Sequence, residues 1–130
     1  MGKQLAQLHK CTNEKNQFGF FENNYIGETP QINTWKDSWA DFFVECRLRP
    51  QIDLFINNGN ILNEKDALLS TVHSILSVHH PQPSLLHGDL WGGNAAFISP
   101  STPVLYDPAC YYGDRETDIV MTKVFFLFWY

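Results

Sequence analysis

The sequence predicts an α+β fold, mostly α, with its short strands gathered toward the C-terminal half. Two stretches, around residues 34–49 and 64–78, repeat apolar residues at helical spacing. Three short apolar runs follow them, bounded by Pro, Gly and Asn. The 130 residues are 44% hydrophobic and 15% aromatic, enough for one packed domain and too apolar for a disordered chain.

Taken in order, residues 3–11 read as a short helix with Leu5 and Leu8 on one face. Residues 12–33 are polar and turn-rich, with Gly19, Gly27, Pro30 and several Asn, and read as a long loop of the functional kind. Thr34 is expected to cap the next helix, with Asp37 at the capping-box position. Trp35, Trp39, Phe42, Phe43 and Cys46 then fall at i, i+4, i+7, i+8 and i+11, one apolar stripe. Pro50 is expected to bend or break this helix, and Asn57-Asn58-Gly59-Asn60 to close the region with a turn. A third helix, residues 64–78, carries Leu68, Val72, Ile75 and Leu76 on one face, and Pro81 and Pro83 end it. Residues 84–87, 95–99 and 104–107 are the short apolar runs, read as a small β-hairpin following a loop. A last helix is expected over 114–122. Residues 123–130 form a separate apolar tail of a kind that calls for a partner surface.

Charge narrows the function. Nine Lys and Arg against fourteen Asp and Glu leave a net charge of −5. The imbalance is local: residues 1–50 carry six acids and six bases, residues 51–130 eight acids and three bases. A basic nucleic-acid footprint is absent, so an anionic substrate would need a metal or a separate basic surface. Three widely spaced cysteines (Cys11, Cys46, Cys110) without a CxxC pair argue against a disulfide scaffold, and with His79 and His80 they fit no zinc template. No apolar run approaches the ~18 residues that span a bilayer, and no signal-peptide core follows Met1. A soluble, cytoplasmic protein with neither a nucleic-acid nor a membrane partner is the expectation.

The chemistry is concentrated in Leu86-His87-Gly88-Asp89-Leu90-Trp91-Gly92-Gly93-Asn94 and in Asp107 of Leu105-Tyr106-Asp107-Pro108. His87-x-Asp89, with Asn94 five residues after the Asp, has the H-x-D-x-x-x-x-N spacing of a kinase catalytic loop. Phosphoryl transfer to a hydroxyl needs a carboxylate to take the proton and hard oxygen ligands to hold Mg2+ on the phosphates of ATP. Asp89 is the candidate base, and Asn94 and Asp107 are the candidate metal ligands. The hairpin makes the reading physical, because it folds Asp107 back beside Asn94. On its own the tripeptide fits Asx turns equally well. The apolar run before it, the hairpin after it and the second Asp favour catalysis. A Ser–His–Asp hydrolase would need a GxSxG elbow, which is absent.

Residues 86–94, together with Asp107-Pro108-Ala109-Cys110-Tyr111-Tyr112-Gly113-Asp114-Arg115-Glu116-Thr117-Asp118, resemble the fructosamine kinase (ketosamine-3-kinase) family, relatives of the aminoglycoside phosphotransferases and choline kinases. The upstream stretch Pro30-Gln31-Ile32-Asn33-Thr34-Trp35, with Trp39, Phe42, Phe43, Glu45 and Arg47, is similar to the same family and sets it apart from other small-molecule kinases. The similarity covers about residues 2–122. It implies a protein-kinase-like large lobe over residues 1–122 and ATP-dependent phosphorylation of a sugar hydroxyl on a ketosamine. It also implies a base at Asp89, Mg2+ ligands at Asn94 and Asp107, and Trp91, Asp114 and Glu116 on the substrate side. His87 and Asp118 become supports of the catalytic loop.

The small lobe of that fold has no counterpart here: no G-x-G-x-x-G loop and no V-A-I-K lysine occurs. The chain by itself is therefore expected to be inactive, with a missing small lobe, or self-association through the apolar tail, as its partner. The alternatives are a non-catalytic truncated remnant or interaction protein, and a choline- or aminoglycoside-type kinase.

Overall fold

Ser38, and not Thr34, begins the central helix. Its hydroxyl accepts the Asp41 backbone N–H at 3.0 Å and donates to the Asp41 carboxylate at 2.6 Å, so the cap forms four residues later than the spacing predicts. Trp35 consequently lies outside the helix, stacked on Tyr112 with ring centroids 6.1 Å apart. The computed structural model describes residues 1–124; residues 125–130, most of the apolar tail, lie outside the described residues.

The elements run α1 (Gly2–Leu8), β1 (Asn24–Ile26), β2 (Thr29–Gln31), α2 (Trp39–Phe43), a π-helical turn (Val44–Leu48), α3 (Arg49–Asn57), α4 (Lys65–Leu76), β3 (Ser84–Leu86), a 3-10 turn (Gly92–Asn94), β4 (Ala95–Ser99), β5 (Thr102–Leu105), β6 (Tyr111–Gly113) and α5 (Glu116–Val124). Pro50 does not break the central helix. The chain widens by one π turn, in which the Arg49 N–H reaches the Val44 carbonyl, and Pro50 then occupies the first turn of α3, where a missing N–H does least harm. In α4 the buried stripe is Leu69 with half-buried Val72 and Leu76. Leu68 and Ile75, expected on the inner face, are 40% and 64% exposed. The loop expected over 12–33 holds the β1–β2 hairpin, turned at Gly27-Glu28 with Ile26 opposite Thr29.

Three two-stranded antiparallel sheets organise the rest: β1–β2, β3–β6 and β4–β5. The β4–β5 hairpin forms as the apolar runs predict, with Ala95 opposite Leu105. Residues 84–86 pair elsewhere, with β6, so that Leu86 stands opposite Tyr111. The β4–β5 ladder is thus nested inside the β3–β6 ladder, and both use the same two chain segments. The loops joining them, 87–94 and 106–110, must cross the gap side by side.

The main core lies beneath this gap. Phe18, Trp39, Phe42, Cys46, Leu86 and Tyr111 are all buried in one cluster, with Phe42 stacked on Tyr111 at 5.5 Å and on Trp39 at 5.9 Å. A second cluster, Val44, Ile52 and Leu69, seals α3 and α4 against the π turn. Asp118, 1% exposed on α5, ties the core to the loop above it. One carboxylate oxygen accepts the Gly88 N–H at 2.9 Å; the other accepts the His87 N–H and pairs with the buried His9 ring, each at 2.9 Å.

Two stability predictions follow from these contacts. Phe42→Ala should cost about 3–5 kcal/mol in a urea titration, because it empties the centre of an aromatic stack; a loss under 1 kcal/mol would mean the stack is not the core. Asp118→Ala should strand buried donors at about 1–3 kcal/mol for each group left unpaired, lowering the melting temperature and unprotecting the His87 and Gly88 amides together. Unchanged exchange at those two amides would show that the carboxylate does not hold the loop.

Candidate active site

Two glycines let the crossing loops approach. At Gly88, with φ +82°, a Cβ would stand 2.0 Å from the Ala109 carbonyl oxygen, so only a hydrogen fits between the loops. At Gly93 a Cβ would lie 2.2 Å from the Trp91 ring, so the indole folds down over the 3-10 turn because residue 93 has no side chain. Across the seam the Ala109 N–H donates to the His87 carbonyl at 2.8 Å and the Tyr106 N–H to the Asn94 carbonyl at 3.1 Å. The buried His87 ring adds a third link, with Nε2 3.0 Å from the Tyr106 carbonyl and Nδ1 accepting the Asp89 N–H at 3.3 Å. The second contact assigns the ring proton to Nε2, which donates to the carbonyl.

These links bring Asp89, Asn94 and Asp107 together. The buried Asn94 amide donates to the Asp89 carboxylate at 2.9 Å, to the Asp89 carbonyl at 3.0 Å and to the Asp107 carbonyl at 3.5 Å. Its Oδ1 and the exposed Asp107 carboxylate accept no hydrogen bond among the described residues, so both are available to a cation. Asp107 takes φ +51°, a left-handed conformation that Asp tolerates better than most side chains. No cluster of three or more His, Cys, Asp or Glu side chains forms a metal cage among the described residues. One carboxylate and one amide oxygen nonetheless fit Mg2+, which binds through one or two protein ligands and completes its shell with water and substrate phosphates.

The residues expected on the substrate side are not all gathered in one place. Asp114 is 6% exposed and closes the start of α5: one carboxylate oxygen accepts the Glu116 N–H at 3.1 Å, and the other is 2.7 Å from His79 Nε2. His79 thus reaches from beyond α4 to the residues just before α5. Asp114 and the exposed Glu116 border a cavity of about 330 Å³ that also touches Gly88, Arg47 and Tyr111. Trp91 is half-buried over Gly93 and is not part of that cavity's lining.

Beside this seam lies a polar network that the motif reading did not foresee. Gln31 Nε2 donates to the Ala109 carbonyl at 3.0 Å and to Asn24 Oδ1 at 2.8 Å, while Asn24 Nδ2 donates to the Cys110 carbonyl at 2.8 Å. Asn33 Nδ2 donates to Asn24 Oδ1 at 3.0 Å, and Arg47 Nη2 to Asn33 Oδ1 at 2.8 Å. The Arg47 guanidinium sits over the rings of Tyr111 and Phe42, 4.0 and 4.5 Å from their centroids, and donates to the Cys46 carbonyl at 2.8 Å. That carbonyl lies four residues before Pro50, which has no N–H to give it. Burial lowers the Arg47 pKa, and Tyr111 opposes that shift. Burial first, then the charge of Asp118, raises the Cys110 thiol, which leaves this half-buried cysteine a poor nucleophile. The sequence signals of this network were the density of Asn in residues 13–33 and the family-like stretch that holds Gln31, Asn33 and Arg47.

The chain resembles known proteins along nearly its whole length. The fructosamine kinase family model matches residues 1–129. A protein of Vibrio parahaemolyticus named probable ketoamine kinase is 48% identical over 124 residues, which are 95% of this chain and 42% of that protein. One of Escherichia coli with the same name is 45% identical over 93% of this chain and 42% of its own length. The chloroplastic protein-ribulosamine 3-kinase of Oryza sativa is 38% identical over 94% of this chain and 36% of its own. A crystal structure from Haemophilus somnus, provisionally assigned as a fructosamine-3-kinase, superposes with a TM-score of 0.86 at 36% identity, covering 93% of this chain and 40% of that one. The chain thus spans about two-fifths of the length of these relatives and shares their kinase-like fold. No helix among the described residues is long and apolar enough to cross a membrane. Sequence and fold together place the chain in the fructosamine kinase family.

Proposed function

We propose that this chain carries the catalytic loop and metal-binding carboxylate of an ATP-dependent ketosamine kinase, a phosphotransferase acting on a sugar hydroxyl. The observation that supports it is the convergence of Asp89, Asn94 and Asp107 at the seam between the nested ladders. In this reading Asp89 takes the proton of the attacking hydroxyl. The Asn94 amide fixes one Asp89 oxygen, and the other accepts no hydrogen bond among the described residues and faces the substrate. Asn94 Oδ1 and Asp107 hold Mg2+, which when bound neutralises charge on the transferring phosphate. Asp118 and His87 act through the loop backbone, keeping Asp89 at a fixed distance from Asp107.

The acidic border of the 330 Å³ cavity, Asp114 and Glu116, suits the protonated amine of a ketosamine, whereas Trp91 covers the sugar from the other side of the loop. The chain corresponds to the large lobe of a two-lobed kinase fold. These 130 residues include no G-x-G-x-x-G loop and no V-A-I-K lysine, so what they supply toward the phosphates is the metal site. Binding of ATP to these residues by themselves is accordingly weak, with little or no turnover.

The test is phosphoryl transfer from radiolabelled ATP to a fructosamine, run beside a ribulosamine, choline and an aminoglycoside. Transfer should require Mg2+ and stop when EDTA removes it. Asp89→Asn should lower the rate about 100- to 10,000-fold while leaving Mg2+-dependent ATP binding in place. A folded chain with no Mg2+-dependent ATP binding would instead make it a non-catalytic member of the family. Faster transfer to choline or to the aminoglycoside would move it to another substrate class.

A further inference from the structure

The segment Pro30–Trp35 contributes no residue to the trio of Asp89, Asn94 and Asp107, yet two of its polar side chains, Gln31 and Asn33, are buried. Its place in the structure supplies a role. The loop carrying Asp107 is gripped on one side by the catalytic loop, through Ala109 N–H to the His87 carbonyl and His87 to the Tyr106 carbonyl. Its opposite side is gripped by the β1–β2 hairpin, through Gln31 to the Ala109 carbonyl and Asn24 to the Cys110 carbonyl. Ala109 therefore has its N–H held by one partner and its carbonyl by another, two residues after Asp107.

The hairpin grip is itself braced. Gln31 and Asn33 are 5% and 2% exposed, and Asn24 Oδ1 accepts from both. Behind them Arg47 donates to Asn33 while lying on Tyr111, the first residue of β6 after the loop. The loop between Asp107 and Tyr111 is thus held at its carbonyls and its end by side chains from residues 24–47. Asp107 itself has φ +51°, a conformation a non-glycine residue keeps only when its surroundings impose it.

We propose that Gln31 and Asn24 are positioning residues for Asp107: the β1–β2 hairpin is a clamp that sets where the second metal carboxylate stands. Gln31 also lines the 330 Å³ cavity, but both side chains reach Asp107 only through the 109–110 backbone. The inference rests on the metal-ligand reading of Asp107 for its consequence, but the clamp is a statement about the loop and is tested separately.

The experiment uses Gln31→Met, which keeps length and removes the donor, and Asn24→Asp, which turns a carboxylate oxygen toward the Cys110 carbonyl while still accepting from Gln31 and Asn33. Arg49→Ala, in an exposed pair with Glu45, is the control. Amide hydrogen exchange is read over residues 106–112 against α3 as internal reference, and Mn2+ binding in the presence of ATP is read by electron paramagnetic resonance. Both clamp variants should speed exchange in the loop about 3- to 10-fold relative to α3 and weaken Mn2+ binding about 10-fold, with unchanged circular dichroism. The control should change neither. Unchanged loop exchange in both variants overturns the proposal. So does loss of overall structure in both, since the hairpin would then hold the core rather than the loop. A wild-type chain that binds no Mn2+ with ATP would defeat the metal reading of Asp107, while the exchange data would still decide the clamp.

Discussion

A carboxylate buried beneath two backbone amides is the constraint around which this structure is arranged. Asp118 accepts the N–H groups of His87 and Gly88 and also pairs with His9, so one side chain joins α5, the catalytic loop and the loop after α1. A buried carboxylate without such partners would be prohibitively unfavourable, and buried amides without an acceptor nearly as much so. Each group therefore needs the others in place. The site is pinned from below through its backbone, with Asn94 buried between the two carboxylate residues and the Asp107 side chain exposed.

The nested ladders convert that anchor into a site. β3 pairs with β6 and β4 with β5, and the two connecting loops cross between them. Gly88 permits the crossing to be close, and His87 stitches it with a ring placed between the two strands of the seam. Short ladders hold the candidate groups at their loops, an arrangement that keeps them accessible without surrendering their geometry. The aromatic stack of Trp39, Phe42 and Tyr111 lies directly below, so core packing and site geometry share residues.

Helix placement was legible only in part, for physical reasons visible at single residues. Thr34 and Ser38 each have a carboxylate three residues on, at Asp37 and Asp41, but the fold ties Asp37 to Gln17, while the Ser38 hydroxyl takes the Asp41 N–H. Pro50 read as a break because spacing alone does not reveal that a π turn can absorb it. In α4 the true inner stripe begins at Leu69 rather than Leu68, a rotation of one residue that depends on where Val44 and Ile52 lie. The β1–β2 hairpin was hidden because its strands are three residues each, too short for an alternating apolar pattern to mark them.

What the sequence by itself determined was the family and which groups meet: the H-x-D-x-x-x-x-N spacing and the later Asp107 name Asp89, Asn94 and Asp107 before any coordinate is known. That is possible because the three residues lie close along the chain, bridged by one short hairpin. Only the tertiary structure decided what holds them. Gln31 and Asn24 reach the Asp107 loop across 78 and 86 residues, Arg47 lies on Tyr111 at the end of that loop, and His9 reaches Asp118 across 109. Such contacts leave no local pattern, because hydrogen bonds from Asn, Gln and His carry neither period nor fixed spacing and form wherever the fold brings a carbonyl within reach.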